Sequence, residues 1–266
     1  MPAKGLVCAR CSHRYPLEQL YKCGQCGGIL EVEYQYEVVA EADAQPEALD
    51  ASNDRELTAW LLESFLPVEQ AKRVGLGEGD TPLVSVPRLS RSVGVPRLWL
   101  KCESGNPTGS FKDHPVSIGV SKAGELGIST AVVASSGNAS SSVAAFAARA
   151  GMRAVVLIPK TASAEKVAQT RRHGALVLQI DGSISTCFEL SRRLSEEHGF
   201  CNLSTTFVNP YTVEGNKTIS YELFMQMNRE VPDVIFVRVG AGPMVEPQKL
   251  PSVNKKAREK RGHHRL

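Results

Sequence analysis

Several absences narrow the class of this chain. Nowhere in its 266 residues do eighteen uncharged apolar residues run together, so no segment has the length and polarity of a membrane-spanning helix. The opening residues, MPAKGLVCARCSHRY, contain no apolar stretch ahead of a cleavage site, and a secretory leader is not expected. The expected location is the cytoplasm. A strong excess of one charge is also missing, since the net charge is only +3. From residue 247 onward stand Lys249, Lys255, Lys256, Arg258, Lys260, Arg261 and Arg265 against Glu259 alone, which leaves 24 basic and 27 acidic residues before them, a charge of −3. The basicity thus sits in a polar tail, 247–266, expected to be disordered, and not on a folded surface of the kind that binds nucleic acid. With 42% hydrophobic residues the chain can bury one large core or two modest ones.

Seven cysteines without a leader point to thiols or metal ligands and away from disulfides. Four are patterned: CARC (Cys8, Cys11) and CGQC (Cys23, Cys26) form C-x2-C-x11-C-x2-C with two glycines after the second pair. Two such knuckles can place four thiolates tetrahedrally about Zn²⁺, and adjacent glycines let backbone N–H groups turn toward sulfur. Four thiolates leave no open coordination position, so the site is expected to be structural. The following ILEVEY reads as a strand through Ile29, Val32 and Tyr34 that completes a zinc-ribbon-like module over 1–40. His13, inside the loop, is not needed as a ligand. Cys102, Cys187 and Cys201 are read as small hydrophobes or surface thiols.

A polar, acidic stretch follows, and 41–75 reads as linker plus a short helix in LTAWLLESFLP. Beyond it, short β-branched runs alternate with helical patterns. RLWLKCE (97–103), TAVVAS (130–135), RAVVLIP (153–159), ALVLQI (175–180) and DVIFVRV (233–239) are runs of the kind buried in parallel sheets. Five helical segments stand among them, four ending in glycine, the favoured residue just past a helix. Strand, helix, strand at these intervals predicts right-handed crossovers and an α/β fold over 76–246. Ligands of such folds bind where strand-to-helix loops converge.

Three loops stand out there: ESGNPTGSFKDHP (103–115), SSGNASSS (135–142) and VGAGP (239–243). Each is rich in glycine or small hydroxylated residues, so backbone N–H groups can approach a bound anion near a helix start. Each alone is explained as turn plus cap; together they outline a cavity with one amine, that of Lys112. A lysine amine becomes a useful nucleophile when burial lowers its pKa or when it condenses with an aldehyde. Condensation is the chemistry of pyridoxal phosphate, which also requires a glycine-rich phosphate cradle.

NPTGSFKD (106–113), SSGNASSSVAAFAARAG (135–151) and NPYTVEGNKTISYEL (209–223) resemble the threonine synthases, members of the fold type II, tryptophan synthase β-like, pyridoxal-phosphate enzymes. The cysteine pattern resembles the ribbon preceding the catalytic body in many bacterial and archaeal members. The resemblance implies that Lys112 carries the cofactor and acts as catalytic residue, and that Asn138 hydrogen-bonds the cofactor ring oxygen. It further implies that Ser135 and Ser136 handle the substrate carboxylate and that Gly240, Ala241 and Gly242 cradle the cofactor phosphate. Phe111 and Asp113 are expected to pack and to fix the loop. The implied reaction converts O-phospho-L-homoserine and water to L-threonine and phosphate, and a homodimer is compatible with it. Related readings are a cysteate-synthase-like enzyme acting on phosphoserine, a threonine dehydratase, or an inactive fragment.

The resemblance has gaps. Many members have Arg where this chain has His114, and some have a phosphate-binding Arg where it has Thr212. Lys217 or Lys101 are candidate substitutes, Lys217 being assigned to substrate binding. After VGAG the sequence turns to PMVEPQKLPSVNKKAREKRGHHRL, which has no strand pattern. The expectation is therefore a C-terminally truncated member lacking roughly a hundred residues of a typical two-domain body.

Overall fold

The structure is a computed structural model and describes residues 3–35, 59–60, 65–162, 164–204 and 209–237. Four short strands form its central sheet, three of them rich in β-branched residues: β6 (Thr130–Ala134), β7 (Arg153–Pro159), β8 (Leu176–Ile180) and the two-residue β9 (Cys201–Asn202); strands β1 to β5 are described below. The order is β8-β7-β6-β9, all parallel, with Val133 opposite Val156 and Leu157 opposite Leu178.

Alternation along β6 and β7 divides the core into two. Val133, Val156 and Ile158 face a helix over Asn138–Arg149, through Val143, Phe146 and Ala147. Val132, Ala134, Val155 and Leu157 face Cys187 and Phe188 of a helix over Ile184–His198 on the opposite side. Both faces of a parallel sheet are thus covered, which explains why its strands read as unbroken apolar runs. We number the helices α1 (Pro87–Val93), α2 (Asp113–Glu125), α3 (Asn138–Arg149), α4 (Ala164–Arg172), α5 (Ile184–His198) and α6 (Pro210–Gln226).

The glycines expected beyond four of the five helical patterns do terminate them. Gly127, Gly151, Gly174 and Gly199 all have φ between 67° and 80°, the left-handed conformation that costs glycine least. The fifth pattern, α6, ends without one; Asn228 and Arg229 take the positive φ instead.

Three strand expectations are corrected. Within 97–103 only β5 (Trp99–Lys101) is extended, and it pairs antiparallel with β4 (Leu83–Ser85) in a separate two-stranded sheet. β8 belongs to the main sheet but is its outer strand, with Leu176 58% exposed. In 233–239, the described residues 233–237 form no strand, and Phe236 is 88% exposed. Apolar composition signals that a segment can be buried in a sheet; it carries no information about which neighbour is present to pair with it.

The N-terminal module is a three-stranded antiparallel sheet of order β2-β1-β3, from β1 (Ala3–Cys8), β2 (Arg14–Tyr15) and β3 (Leu30–Tyr34). In β3 the inward residues are Leu30, Val32 and Tyr34, whereas Ile29, expected to help form the strand, lies before it and is exposed. This small core is closed by Tyr211 of α6. Hydrogen bonds add to the docking: Gln19 Nε2 donates to the Phe200 carbonyl at 2.7 Å, and the Tyr211 hydroxyl to the Glu18 carbonyl at 2.8 Å.

Most of the segment expected to be linker, with the acidic stretch, and the whole tail 247–266 lie outside the described residues. Ala59, Trp60, Leu66 and Val68 are buried together against Ile118 of α2.

Helices α2 and α6 approach through glycine. A Cβ on Gly119 would stand 2.7 Å from a Leu203 methyl carbon and 2.8 Å from that of Thr212; one on Gly215 would stand 2.5 Å from both the His114 carbonyl oxygen and Pro115 Cα. Only residues without a side chain allow this contact.

Candidate active site

The lysine loop is held by its own polar side chains. It begins with a single turn of 3-10 helix, Glu103–Gly105, and ends where Lys112 caps α2. Asp113 accepts the Thr108 backbone N–H at 2.7 Å and the Thr108 hydroxyl, closing the bend from beneath. The Lys112 N–H donates to Ser110 Oγ at 3.3 Å. Buried Asn106 accepts from the Gly79 N–H at 3.0 Å and donates to the Glu103 carbonyl and carboxylate at 2.9 Å each, joining the loop to the preceding GEGD segment. Pro115 is the third residue of α2, where no intrahelical bond requires the N–H it lacks.

Lys112 is half-buried, with Nζ 4.4 Å from the centre of the Phe111 ring. Burial holds its pKa below the ordinary lysine value, because removal from water penalises the ammonium. That shift enlarges the neutral fraction that can act as nucleophile or base.

The second loop follows β6 at the carboxyl end of the sheet. The Gly137 N–H donates to Ser135 Oγ at 3.2 Å, and α3 begins at Asn138, whose residue is exposed. Ser135 and Ser136 are half-buried there. Helices α2 and α3 pack together, so Lys112 and Asn138 stand at the N-termini of two neighbouring helices. Gly240, Ala241 and Gly242 lie outside the described residues.

The other cations are engaged elsewhere. Lys217 Nζ lies 2.7 Å from Glu214 Oε1 and over the Tyr34 ring of the N-terminal module, so its ammonium is spent on the docking of that module. Lys101 Nζ binds Glu222 at 2.7 Å, Gln226 at 3.0 Å and the Thr81 carbonyl. Thr212 is buried between α2 and α6, its hydroxyl donating to the Asn209 carbonyl at 2.8 Å.

Beneath the loop lies a cluster that reading the sequence did not anticipate. His114 is fully buried; its Nδ1 stands 2.6 Å from Thr218 Oγ1, and its Nε2 stands 3.1 Å from Glu103 Oε2 without hydrogen-bond alignment. Glu222 Oε1 is 3.9 Å from Nδ1. The three could hold a metal by proximity, but the Lys101 ammonium already supplies a cation to Glu222. The signal was faint: three residues separated by 11 and 108 positions, with no motif spacing.

The four patterned cysteines do converge. Cys8 to Cys26, Cys11 to Cys23 and Cys11 to Cys26 are each 3.5 Å between sulfurs, and all four lie within 4.8 Å of one another. A Cβ on Gly28 would stand 2.8 Å from Cys8 Sγ and 3.2 Å from Cys26 Sγ, so the second glycine is what allows the sulfurs to close. The Tyr15 hydroxyl, foremost, together with backbone N–H groups, brings the Cys23 thiol down to about 6. His13 instead packs edge-on against Tyr15, at 4.8 Å between ring centroids.

Comparison with known proteins supplies a family. The chain is 37% identical to threonine synthase of Methanocaldococcus jannaschii over 88% of its length, and 38% identical to that of Methanosarcina acetivorans, also over 88%. It covers 56% of each, so the chain spans about half the length of the curated relatives it matches. Among solved structures it is similar to a pyridoxal 5'-phosphate-dependent aspartate racemase, with a TM-score of 0.56, 30% identity and coverage of 62% of this chain and 50% of that one. Diaminopropionate ammonia lyase of Escherichia coli shares the fold at a TM-score of 0.58 and 22% identity, over 64% of this chain and 53% of its own. Residues 74–245, which include both loops, match the family described as pyridoxal-phosphate dependent enzyme, and by that match the chain belongs to the pyridoxal-phosphate dependent enzymes, in an α/β fold of type II.

Proposed function

We propose that this chain carries the cofactor-binding half of a threonine-synthase-like lyase, which converts O-phospho-L-homoserine and water to L-threonine and phosphate. The observation that carries the reading is Lys112: a half-buried amine of lowered pKa, at a helix start, in a loop held by Asp113 and Asn106. The likeness of the chain to threonine synthases at 37–38% identity supports this reaction among those of its family.

The donor set fits pyridoxal phosphate. Lys112 would hold it, with Asn138 at the start of α3 and the Gly240–Gly242 loop as the remaining contacts. When bound, the cofactor supplies an electron sink that stabilises negative charge at the substrate Cα. Lys112, with its amine free, would take and return protons at Cα and Cβ; its lowered pKa enlarges the neutral fraction that can accept them. Ser135 and Ser136 would orient the substrate carboxylate through hydroxyl and backbone donors at the α3 N-terminus, where the helix dipole favours an anion. Lys217 takes no part in this reading, because Glu214 neutralises it.

The N-terminal module fits a structural zinc ion. Bonds of 2.3 Å from a tetrahedral ion would separate the sulfurs by about 3.8 Å, close to the 3.5 Å spacing of Cys8, Cys11, Cys23 and Cys26. Four thiolate ligands leave no position for substrate, so the ion would hold the ribbon and not take part in the reaction.

The test is release of phosphate by the purified chain supplied with pyridoxal phosphate, measured in parallel on O-phosphohomoserine and on phosphoserine. Release from the first substrate, abolished by Lys112→Ala, is the expected result. Release from phosphoserine alone, with sulfite supplied as the replacing nucleophile and cysteate formed, assigns the cysteate-synthase-like reaction instead, and release from neither, with cofactor bound, makes the chain a cofactor-binding fragment.

A further inference from the structure

Buried polar atoms without partners are rare, because each bears the cost of leaving water with nothing gained in return. The cluster beneath the lysine loop holds two, His114 Nε2 and Glu222 Oε1, on residues 0% and 4% exposed. A third, Glu78 Oε1, belongs to a buried carboxyl within electrostatic reach of the same ring. The atoms beside them are already bonded. Thr218 Oγ1 engages His114 Nδ1 at 2.6 Å. Lys101 Nζ engages Glu222 through Oε2, so its ammonium answers one oxygen of that carboxylate and leaves the other. Glu103 Oε1 accepts from Thr81 Oγ1 at 2.7 Å, while its Oε2 accepts from Asn106 Nδ2 and stands 3.1 Å from His114 Nε2.

Distance and charge point the same way. One donor atom from each of Glu103, His114 and Glu222 lies within 4.8 Å of the other two. Ligand atoms at about 2.1 Å from one ion stand about 3.0 Å apart across a right angle and about 3.4 Å apart across a tetrahedral one. The 3.1 Å between His114 Nε2 and Glu103 Oε2 falls between these. A neutral imidazole held at Nδ1 leaves Nε2 as its ligand atom, the arrangement in which histidines bind metals. A single buried water would satisfy some of these atoms, but it brings no charge. Two carboxylates meet here, and Lys101 brings one ammonium to them; a second cation offsets the excess.

We propose that Glu103, His114 through Nε2, and Glu222 through Oε1 bind a hard divalent cation, of the Mn²⁺ class, beneath the lysine loop. Two carboxylate oxygens to one nitrogen suit such an ion better than the soft ones that thiolates take. Water completes its shell from the side of Glu103, whose side chain is 17% exposed and marks the way in. The ion joins three elements: the 3-10 turn that opens the loop, the first turn of α2 just past Lys112, and α6. Its effect is to brace the loop from below. The site is separate from the four cysteines, and it stands whatever role Lys112 has.

The test uses the whole chain, first supplied with one equivalent of Zn²⁺ to occupy the cysteines and then titrated with Mn²⁺. Free Mn²⁺ is read by electron paramagnetic resonance. Pyridoxal phosphate is left out, because its phosphate would itself hold metal, and the outcome is thereby independent of the functional reading. Uptake of one Mn²⁺ per chain is expected; no uptake overturns the proposal and leaves a buried water as the occupant. Pulsed resonance on the bound ion should show coupling to an imidazole nitrogen, and a shell of oxygen ligands alone overturns it. His114→Gln is expected to remove that coupling and to weaken binding by about tenfold or more, since loss of even an outer partner of a metal ligand costs that much. Unchanged affinity in the folded variant overturns the site and marks the ion as adventitious. Should His114→Gln fail to fold, Glu103→Gln, at the exposed edge of the cluster, is expected to weaken binding by the same factor, and equal affinity there overturns the proposal.

Discussion

The hydroxyl of Tyr34 donates to Glu214 Oε2 at 2.7 Å, in the interior, across 180 residues of sequence. Tyr34 ends the last strand of the N-terminal module and Glu214 lies in the second turn of α6, whose Gly215 abuts the backbone of His114. The module is therefore attached to the same helix that backs the lysine loop.

Removing that hydroxyl should be felt in stability more than in chemistry. Tyr34→Phe is expected to lower unfolding stability by about 1–3 kcal/mol, the scale of a lost hydrogen bond to a charged group, with Glu214 Oε2 keeping its contact to Lys217, as read by denaturant titration. Pyridoxal phosphate binding should remain.

The two helix glycines make opposite predictions when replaced by alanine. Gly215→Ala forces a Cβ to 2.5 Å from the His114 carbonyl oxygen and should destabilise by about 3 kcal/mol. Gly124→Ala, on the exposed side of α2 with nothing within 4 Å of its added Cβ, should stabilise by about 0.5–1 kcal/mol. Thermal melts of the two variants measured together check the sign.

Lys112 should cost the chain stability at neutral pH. Its folded pKa lies below the unfolded value of about 10.4, so stability without cofactor rises as pH climbs through the folded pKa toward the unfolded one. Lys112→Met is accordingly expected to melt higher than the unmodified chain at pH 7, with the advantage shrinking as pH approaches about 10. It should show no visible band with pyridoxal phosphate that borohydride can remove.

Zinc, on the proposed reading, should co-purify in stoichiometric amount and be lost in Cys23→Ser. Chelation should lower the melting temperature, since a module this small depends on its staple, and zinc alone should restore it. An unchanged melt after verified metal removal would show that the four thiols need no ion.

Much of this was legible because it follows from local chemistry. Glycine supplies positive φ cheaply, so Gly127, Gly151, Gly174 and Gly199 announced the ends of four helices. β-branched runs covered on two faces announced β6 and β7, and C-x2-C spacing brought four sulfurs together. What stayed hidden depends on distant partners. Trp99–Lys101 has a strand composition, but its partner Leu83–Ser85 lies on the far side of helix α1, and neither segment's sequence names the other. His114 read as an ordinary helix start; only folding sets Thr218 and Glu222 of α6 against its ring. Lys217 looked available for an anionic substrate until the fold placed Glu214 and Tyr34 beside it.

The glycine contacts between α2 and α6 carry a consequence for tolerance. Where side chains separate two helices, a misfit of a few tenths of an ångström is absorbed by a change of rotamer. At Gly215 the nearest neighbours are main-chain atoms of His114 and Pro115, which have no rotamers to change. The gap between the helix that receives the N-terminal module and the helix that begins at Lys112 is thus gauged by the backbone itself. Substitutions elsewhere in the interface can alter how firmly the helices are held, but hardly the distance at which they stand.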